Sequence, residues 1–428
     1  MKRILATSII FVLVMSLMSG CGTKKEDDNI VNISILNSKP EIAVALENVI
    51  EKFSEENKDI NIKLVKYSES SSYSEKMNSM YAANNGPTIT VIDSAHIRGF
   101  ANNFLDLSNE EWIKDISGNI SSVAKNNEGK VIAFPFATEG MGIIYNKKVM
   151  DEAGIDVNKI NTIESLEEAF KKVESIGKKP LIISNEEWSL GDHFLSTAYS
   201  IETKKDKDVD IYFNNLKNGS INLKNSNTLN GLIDTFDIMK EYNMYAESPL
   251  LPSYDKCAEI IGKGDVGFWY MGNWASQIIL NNSNGNHDFG FIPVPISNNA
   301  SDYGNNEIIL GVTKYMVIDK NNNSLEQQAA AKRFLNYLVY NENGNKFLVE
   351  DAGIIPAFNN IEVTQNDPLV NGIINYRESG KTMELMNCYL PSNNSQILGG
   401  ALKKYLNNEI NRDELITVIQ EFWTENKE

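Results

Sequence analysis

Val31-Asn-Ile-Ser-Ile-Leu36 alternates apolar and polar residues with the period of two expected of a strand. Ser38 and Glu41 then form a capping-box pattern, with Pro40 tolerated in the first turn of a helix. Ile42, Leu46, Val49, Ile50 and Phe53 recur at helical spacing and give that helix one apolar face. Ile60, Ile62 and Leu64 alternate again, a polar helix follows over Tyr73 to Ala83, and Pro87 leads into the strand Thr88-Ile-Thr-Val-Ile92. Strand, helix, strand, helix, strand in that order predicts parallel strands joined by right-handed crossovers, an α/β lobe.

The alternation resumes downstream. Lys130 to Phe136 and Gly142 to Tyr145 read as two strands, Ile163 to Ile176 as an amphipathic helix, and Pro180 to Ser184 as a strand. Leu229 to Tyr242 reads as a helix, and Asp265 to Met271 and Ile308 to Ile318 read as strands. Leu325 to Leu348 is expected to be helical, as is Glu414 to Thr424, where Trp423 suits a core. Roughly 400 residues after the leader exceed a single compact core and suggest two lobes.

Open α/β sheets bind ligands beyond the carboxyl ends of their strands. Those ends carry Asn37 and Ser38, Asp93, Glu139, then Asn185, Glu186 and Trp188, and finally Gly272, Asn273 and Trp274. Carboxylates and amides exchange hydrogen bonds with hydroxyls, and indole faces stack on apolar C–H faces. Singly, each has a plainer role: Asp93 as a helix cap, Glu139 as a surface charge, Trp188 or Trp269 as core. Together they favour a neutral, polyhydroxylated ligand.

The N-terminus pairs Lys2 and Arg3 with an apolar run from Ile4 to Met18, followed by Ser19-Gly20-Cys21. This is the pattern of a secretory signal peptide, and about 15 apolar residues fall short of the roughly 20 that span a bilayer. With its cysteine, it resembles the lipobox of bacterial lipoproteins, with Met18 where Leu is usual. That resemblance implies cleavage before Cys21, lipidation of its thiol and anchoring on the outer face of the cell membrane. Gly22 to Asn29 reads as a polar tether. Losing Lys2 and Arg3 takes the net charge from −17 to −19. Such an acidic chain repels nucleic acid and anionic headgroups. Cys257 and Cys388 are expected as buried thiols, since two cysteines make no disulfide framework. His96, His193 and His287 are not at metal-ligand spacing, and no cofactor is expected.

Five further segments carry a wider resemblance. They are Pro87 to Asp93 with Phe104-Leu-Asp-Leu-Ser108; Glu139-Gly-Met-Gly-Ile-Ile-Tyr-Asn146 with Ala153-Gly-Ile155; Ile261 to Trp274; Gly311 onward; and Ala329 to Leu335 through Gly353-Ile-Ile-Pro356. In this order they resemble the sugar-binding group of extracellular solute-binding lipoproteins that serve ABC importers, the group containing maltose-binding protein. The resemblance implies an α/β, two-lobed periplasmic-binding-protein-like clamshell, each lobe a mixed, mainly parallel sheet flanked by helices. Its divisions would be 1–20 signal peptide, 21–30 lipidated cysteine and tether, 31–136 with 312–368 as one lobe, and 137–311 with 369–428 as the other. The chain would cross between lobes near Phe136 to Glu139, Ile309 to Thr313 and Asn366 to Ile374. Glu139 matches a carboxylate that contacts sugar hydroxyls and Trp274 an indole that stacks on a sugar ring, while Asp93 lies close to a polar ligand-contacting stretch. Asn37, Ser38, Trp188 and Asn273 complete the expected ligand-binding set. Two family features are absent: an aromatic near the end of the third strand, where Val91-Ile92 stand, and one within Pro391 to Leu402. The implied partners are a small solute, a sugar in this group, and the transmembrane subunits of a permease, with the receptor a monomer that breaks no bond. Two alternatives stay open: the same fold holding a polyamine or peptide, and an exported glycoside hydrolase using Asp93 and Glu139 as acid and base.

Overall fold

The computed structural model describes residues 30–65, 73–117, 121–205, 209–363 and 366–426. The expected signal peptide, Cys21 and the expected tether through Asn29 lie outside them. Strands β1 (Val31–Leu36), β2 (Ile60–Val65) and β3 (Ile89–Asp93) open the fold. β1 pairs in parallel with both others, Val31 opposite Ile60 and Ile35 opposite Ile89, as the opening stretch predicts. The helix Ala43–Glu56 between β1 and β2 buries Ala45, Leu46, Val49, Ile50 and Phe53, one face at helical spacing. Phe53 meets Phe334 edge to face at 5.2 Å, tying this helix to Leu325–Tyr340.

Where the sequence suggests two strands separated by a turn, the chain forms one, β4, over Phe134–Asn146. Thr138-Glu139-Gly140 looks like a loop locally, but Thr138, Glu139 and Gly140 pair with Val312, Gly311 and Leu310 of a later strand, which completes the ladder. The register shifts at Pro135 to Thr138, so the strand is irregular at its middle. β5 (Lys179–Ile182), β6 (Val266–Gly272), β7 (Phe289–Ile292), β8 (Ile308–Ile318) and β9 (Thr382–Glu384) follow. The sheet order is β2-β1-β3-β8-β4-β6-β5, with β7 on β4 and β9 on β8. Among the described residues four ladders are parallel and four antiparallel, and every antiparallel one involves β4 or β8.

These two long strands run through both halves of the molecule. Lys314 to Ile318 of β8 pair with β3 on one side and with Phe134 to Ala137 of β4 on the other, while Met141 to Asn146 of β4 join β6 and β7. One core gathers Ile33, Leu46, Phe53, Val91, Phe134 and Phe334; another gathers Phe170, Leu181, Phe236, Phe268 and Trp423. Trp423 is fully buried, as its helical face suggests, and donates its indole N–H to Tyr199 Oη at 2.9 Å. Cys257 and Cys388 are buried free thiols.

Two local readings need correction. The capping box at Ser38 and Glu41 does not form: a 3₁₀ turn, Pro40–Ile42, precedes the helix without a side-chain cap. Asn37 shapes that turn instead, its amide donating to Lys39 O at 2.7 Å and accepting from Lys39 N at 3.0 Å, while Glu41 pairs with Lys39. The helix expected over Leu325 to Leu348 stops at Tyr340, because Asn341 turns the backbone extended and caps a new one over Glu342–Lys346. Capping boxes do form at Ser324 with Gln327, at Thr162 with Ser165 and at Asn411 with Glu414.

Candidate functional site

Where β1 ends, the turn built by Asn37 aims Lys39 inward. Its ammonium lies 2.6 Å from Glu139 Oε1 and 2.7 Å from Glu41 Oε1, with side-chain exposures of 5 % for Lys39 and 8 % for Glu139. Thr313 donates its hydroxyl to the other Glu139 oxygen. Burial alone favours the neutral amine, but the two carboxylates outweigh it and raise the Lys39 ammonium above its ordinary range. Glu139 is therefore a central group held from both sides, and a carboxylate with about four lone-pair sites can still accept from a ligand.

Next to Thr313, Lys314 lies directly opposite Asp93 in the antiparallel register of β8 and β3. Their ion pair measures 2.5 Å. Burial disfavours the Asp93 carboxylate, yet Lys314, helped by His96, outweighs it and holds the carboxyl below the usual range. Asp93 also occupies the N-cap position of the helix Ser94–Phe100 but makes no side-chain cap bond, so the plain capping role fails.

An aromatic group lies within electrostatic reach of these charges. Trp188 and His193 lie on one π-helical segment, Trp188–Phe194, with ring centroids 5.3 Å apart. Trp274 sits 5.2 Å from His193 and 6.1 Å from Trp188, and Tyr254 lies 6.0 Å from Trp188. Trp188, Tyr254 and Trp274 are half-buried, whereas Trp269 on β6 is fully buried core. The charges reach this wall: burial lowers His193 to about 4 while Asp93 opposes the shift, and Tyr254 is raised first by burial and then by Glu41. Burial also pushes the neighbouring Asp192 up to about 7, with Asn394 donating to it at 2.7 Å.

Two glycines make the wall possible. A Cβ at Gly272 would lie 1.9 Å from the Trp274 indole, so glycine here gives the ring room over the backbone. A Cβ at Gly399 would meet Glu187 O at 2.3 Å, so this glycine lets a second π-helical segment, Ser395–Gly399, close against the one carrying Trp188.

Of the residues singled out from sequence, Asp93, Glu139, Trp188 and Trp274 converge on this region. Asn273 is buried and accepts the Gly140 N–H at 2.9 Å, so it braces the strand beside Glu139. Asn37 serves the Lys39 turn, and Ser38 Oγ is buried without a hydrogen-bond partner. Sequence reasoning missed Lys39, Lys314, His193 and Tyr254.

Two α/β halves sharing long crossing strands, with ion-paired carboxylates on one side and indoles on the other, define a two-lobed solute-binding protein. The chain belongs to the bacterial extracellular solute-binding protein family, which matches residues 48–371. Among curated proteins it is 24% identical over 178 residues to the melibiose/raffinose/stachyose-binding protein MelE of Bacillus subtilis, covering 40% of each chain. It is 26% identical over 192 residues to an uncharacterized ABC transporter extracellular-binding protein of Pyrococcus horikoshii, covering 43% of this chain and 41% of that one. The chain thus matches about two fifths of the length of these relatives. In three dimensions it resembles RafE in complex with raffinose, with a TM-score of 0.78 at 20% identity over 93% of this chain and 100% of the other. It also resembles a sugar transporter of Bacillus licheniformis in complex with stachyose, with a TM-score of 0.72 at 19% identity over 92% and 100%. The family is extracytoplasmic and binds rather than transforms its substrates. No helix among the described residues is long and apolar enough to cross a membrane.

Proposed function

We propose that this protein is a lipid-anchored receptor on the outer face of the cell membrane that captures a neutral mono- or oligosaccharide for an ABC permease. The observation that carries this reading is that the ion pairs Asp93–Lys314 and Lys39–Glu139 lie within electrostatic reach of His193 and Tyr254, which pack with Trp188 and Trp274. Carboxylates and ammonium groups offer acceptors and donors to hydroxyls, and the indoles offer faces to sugar rings. The lobes comprise 31–136 with 312–368 and 137–311 with 369–428, and β4 and β8 form the hinge at their paired centres. Sugar bridging both lobes favours the closed form, because only that form makes both sets of contacts. The sugars bound by MelE and RafE support the same ligand class. The hydrolase reading loses ground, because Lys314 holds the Asp93 carboxyl below the usual range, the opposite of what a general acid needs, and both Glu139 oxygens are already engaged by Lys39 and Thr313.

A thermal-shift series over raffinose, stachyose, spermidine and a short peptide tests the ligand class. A ligand at 100 times its Kd should add about 2.7 kcal/mol of stability, and we expect this from a sugar alone. Stabilisation by spermidine or the peptide, with no response to any sugar, would overturn the carbohydrate assignment.

Ser19-Gly20-Cys21 after an apolar leader supports the anchor. Cys21→Ser is expected to release the protein into the medium or leave an unprocessed precursor. A variant processed to mature size yet wholly retained on membranes would exclude lipidation at Cys21.

A further inference from the structure

After β9 leaves the sheet at Glu384, the chain passes between cores on consecutive residues. Met386 and Leu390 belong to the core built around Phe170 and Trp423, whereas Cys388 is buried in a third core with Leu36, Ile92, Ile97 and Tyr315. Tyr389 packs against both. On one side its ring stacks on Phe213 at 5.3 Å with planes 7° apart. On the other, the Arg98 guanidinium lies 5.2 Å from its centroid and the Ser122 hydroxyl is 3.2 Å from its own. Arg98 stands in the last turn of the helix Ser94–Phe100, whose N-cap is Asp93. The strap is also fixed at its base: Ser200 donates to Glu384 O at 2.8 Å, and Ser196 to Asn387 at 3.4 Å.

A segment placed wholly in one lobe by the sequence reading thus inserts a side chain into the core of the other and clasps the helix that starts at Asp93. We propose that Tyr389 is a positioning residue for ligand capture: the strap Leu385–Leu390 clamps that helix to the opposite lobe and favours the closed cleft. Tyr389 is remote in sequence from every candidate ligand contact and acts through the helix it holds. The affinity consequence rests on the carbohydrate reading; the conformational consequence does not.

The experiment compares wild type, Tyr389→Ala, Tyr389→Phe and Arg98→Ala by thermal unfolding, ligand-free solution scattering and raffinose binding kinetics. Tyr389→Ala and Arg98→Ala are expected to stay folded, to enlarge the ligand-free radius of gyration, and to weaken raffinose binding about three- to tenfold through faster dissociation. Tyr389→Phe keeps the ring between Phe213 and Arg98 and should behave as wild type in all three measurements. Folded alanine variants with the wild-type scattering radius would overturn the clamp. If Tyr389→Ala fails to fold, Arg98→Ala decides, since Arg98 is exposed and its truncation removes only the clasp. Wild type that ignores raffinose counts against the sugar assignment, and the ligand-free scattering still decides the clamp.

Discussion

Lys39→Met is expected to cost about 3–5 kcal/mol of folding stability, the usual penalty for removing one partner of a buried ion pair. The ammonium neutralises Glu139, whose side chain is 8 % exposed and retains only the Thr313 hydroxyl once Lys39 is gone. Glu41, 39 % exposed, is rescued by water, so the loss falls on Glu139. Adding Glu139→Gln removes the stranded charge and should recover much of the loss, whereas Glu139→Gln alone leaves the Lys39 ammonium paired with Glu41. Urea unfolding of the two single variants and the double variant measures the coupling directly. A Lys39→Met protein within about 1 kcal/mol of wild type would mean that water already solvates the pair.

Trp274→Ala is expected to weaken ligand binding by about 1–3 kcal/mol, on the scale of ring-stacking losses elsewhere. A wholly structural tryptophan would instead cost about 3–5 kcal/mol of stability on truncation. The structure separates these roles within one segment. Trp269 is the fully buried residue of β6, while Trp274 is half-buried, folded over Gly272 and in ring contact with Trp188 and His193. The ligand-free variant should therefore remain folded. Calorimetric titration with the sugar found in the thermal-shift series, beside an unfolding curve of the free protein, gives both quantities. Unchanged affinity in a folded variant would remove Trp274 from the site.

Both predictions concern side chains with different visibility in the linear chain. Trp274 follows an apolar strand and a glycine, so its place at a strand end is readable from local pattern. Lys39 is one of 40 basic residues, and its local setting of Ser38, Pro40 and Glu41 points to a helix cap. The cap fails because Glu41 is drawn to Lys39 and Asn37 takes over the turn. Only the arrival of Glu139 from a strand 100 residues away makes Lys39 central.

Local pattern in the chain was enough for the α/β class, the opening order β1, helix, β2, helix, β3, the buried faces of the main helices and the places of Asp93 and Trp274 at strand ends. These follow from periods of two and 3.6 residues, which each segment carries whatever its neighbours do. Tertiary structure alone decided that β4 is one strand and not two, because the ladder through Thr138 to Gly140 needs β8. It also decided that Lys314 faces Asp93, through the register of β3 with β8, and that His193 and Tyr254 join the two tryptophans. The strap at Tyr389 is of the same kind, since one residue touching two cores has no periodic signature. Pairings between residues distant in sequence depend on how separate elements meet, and a local pattern carries no record of that meeting.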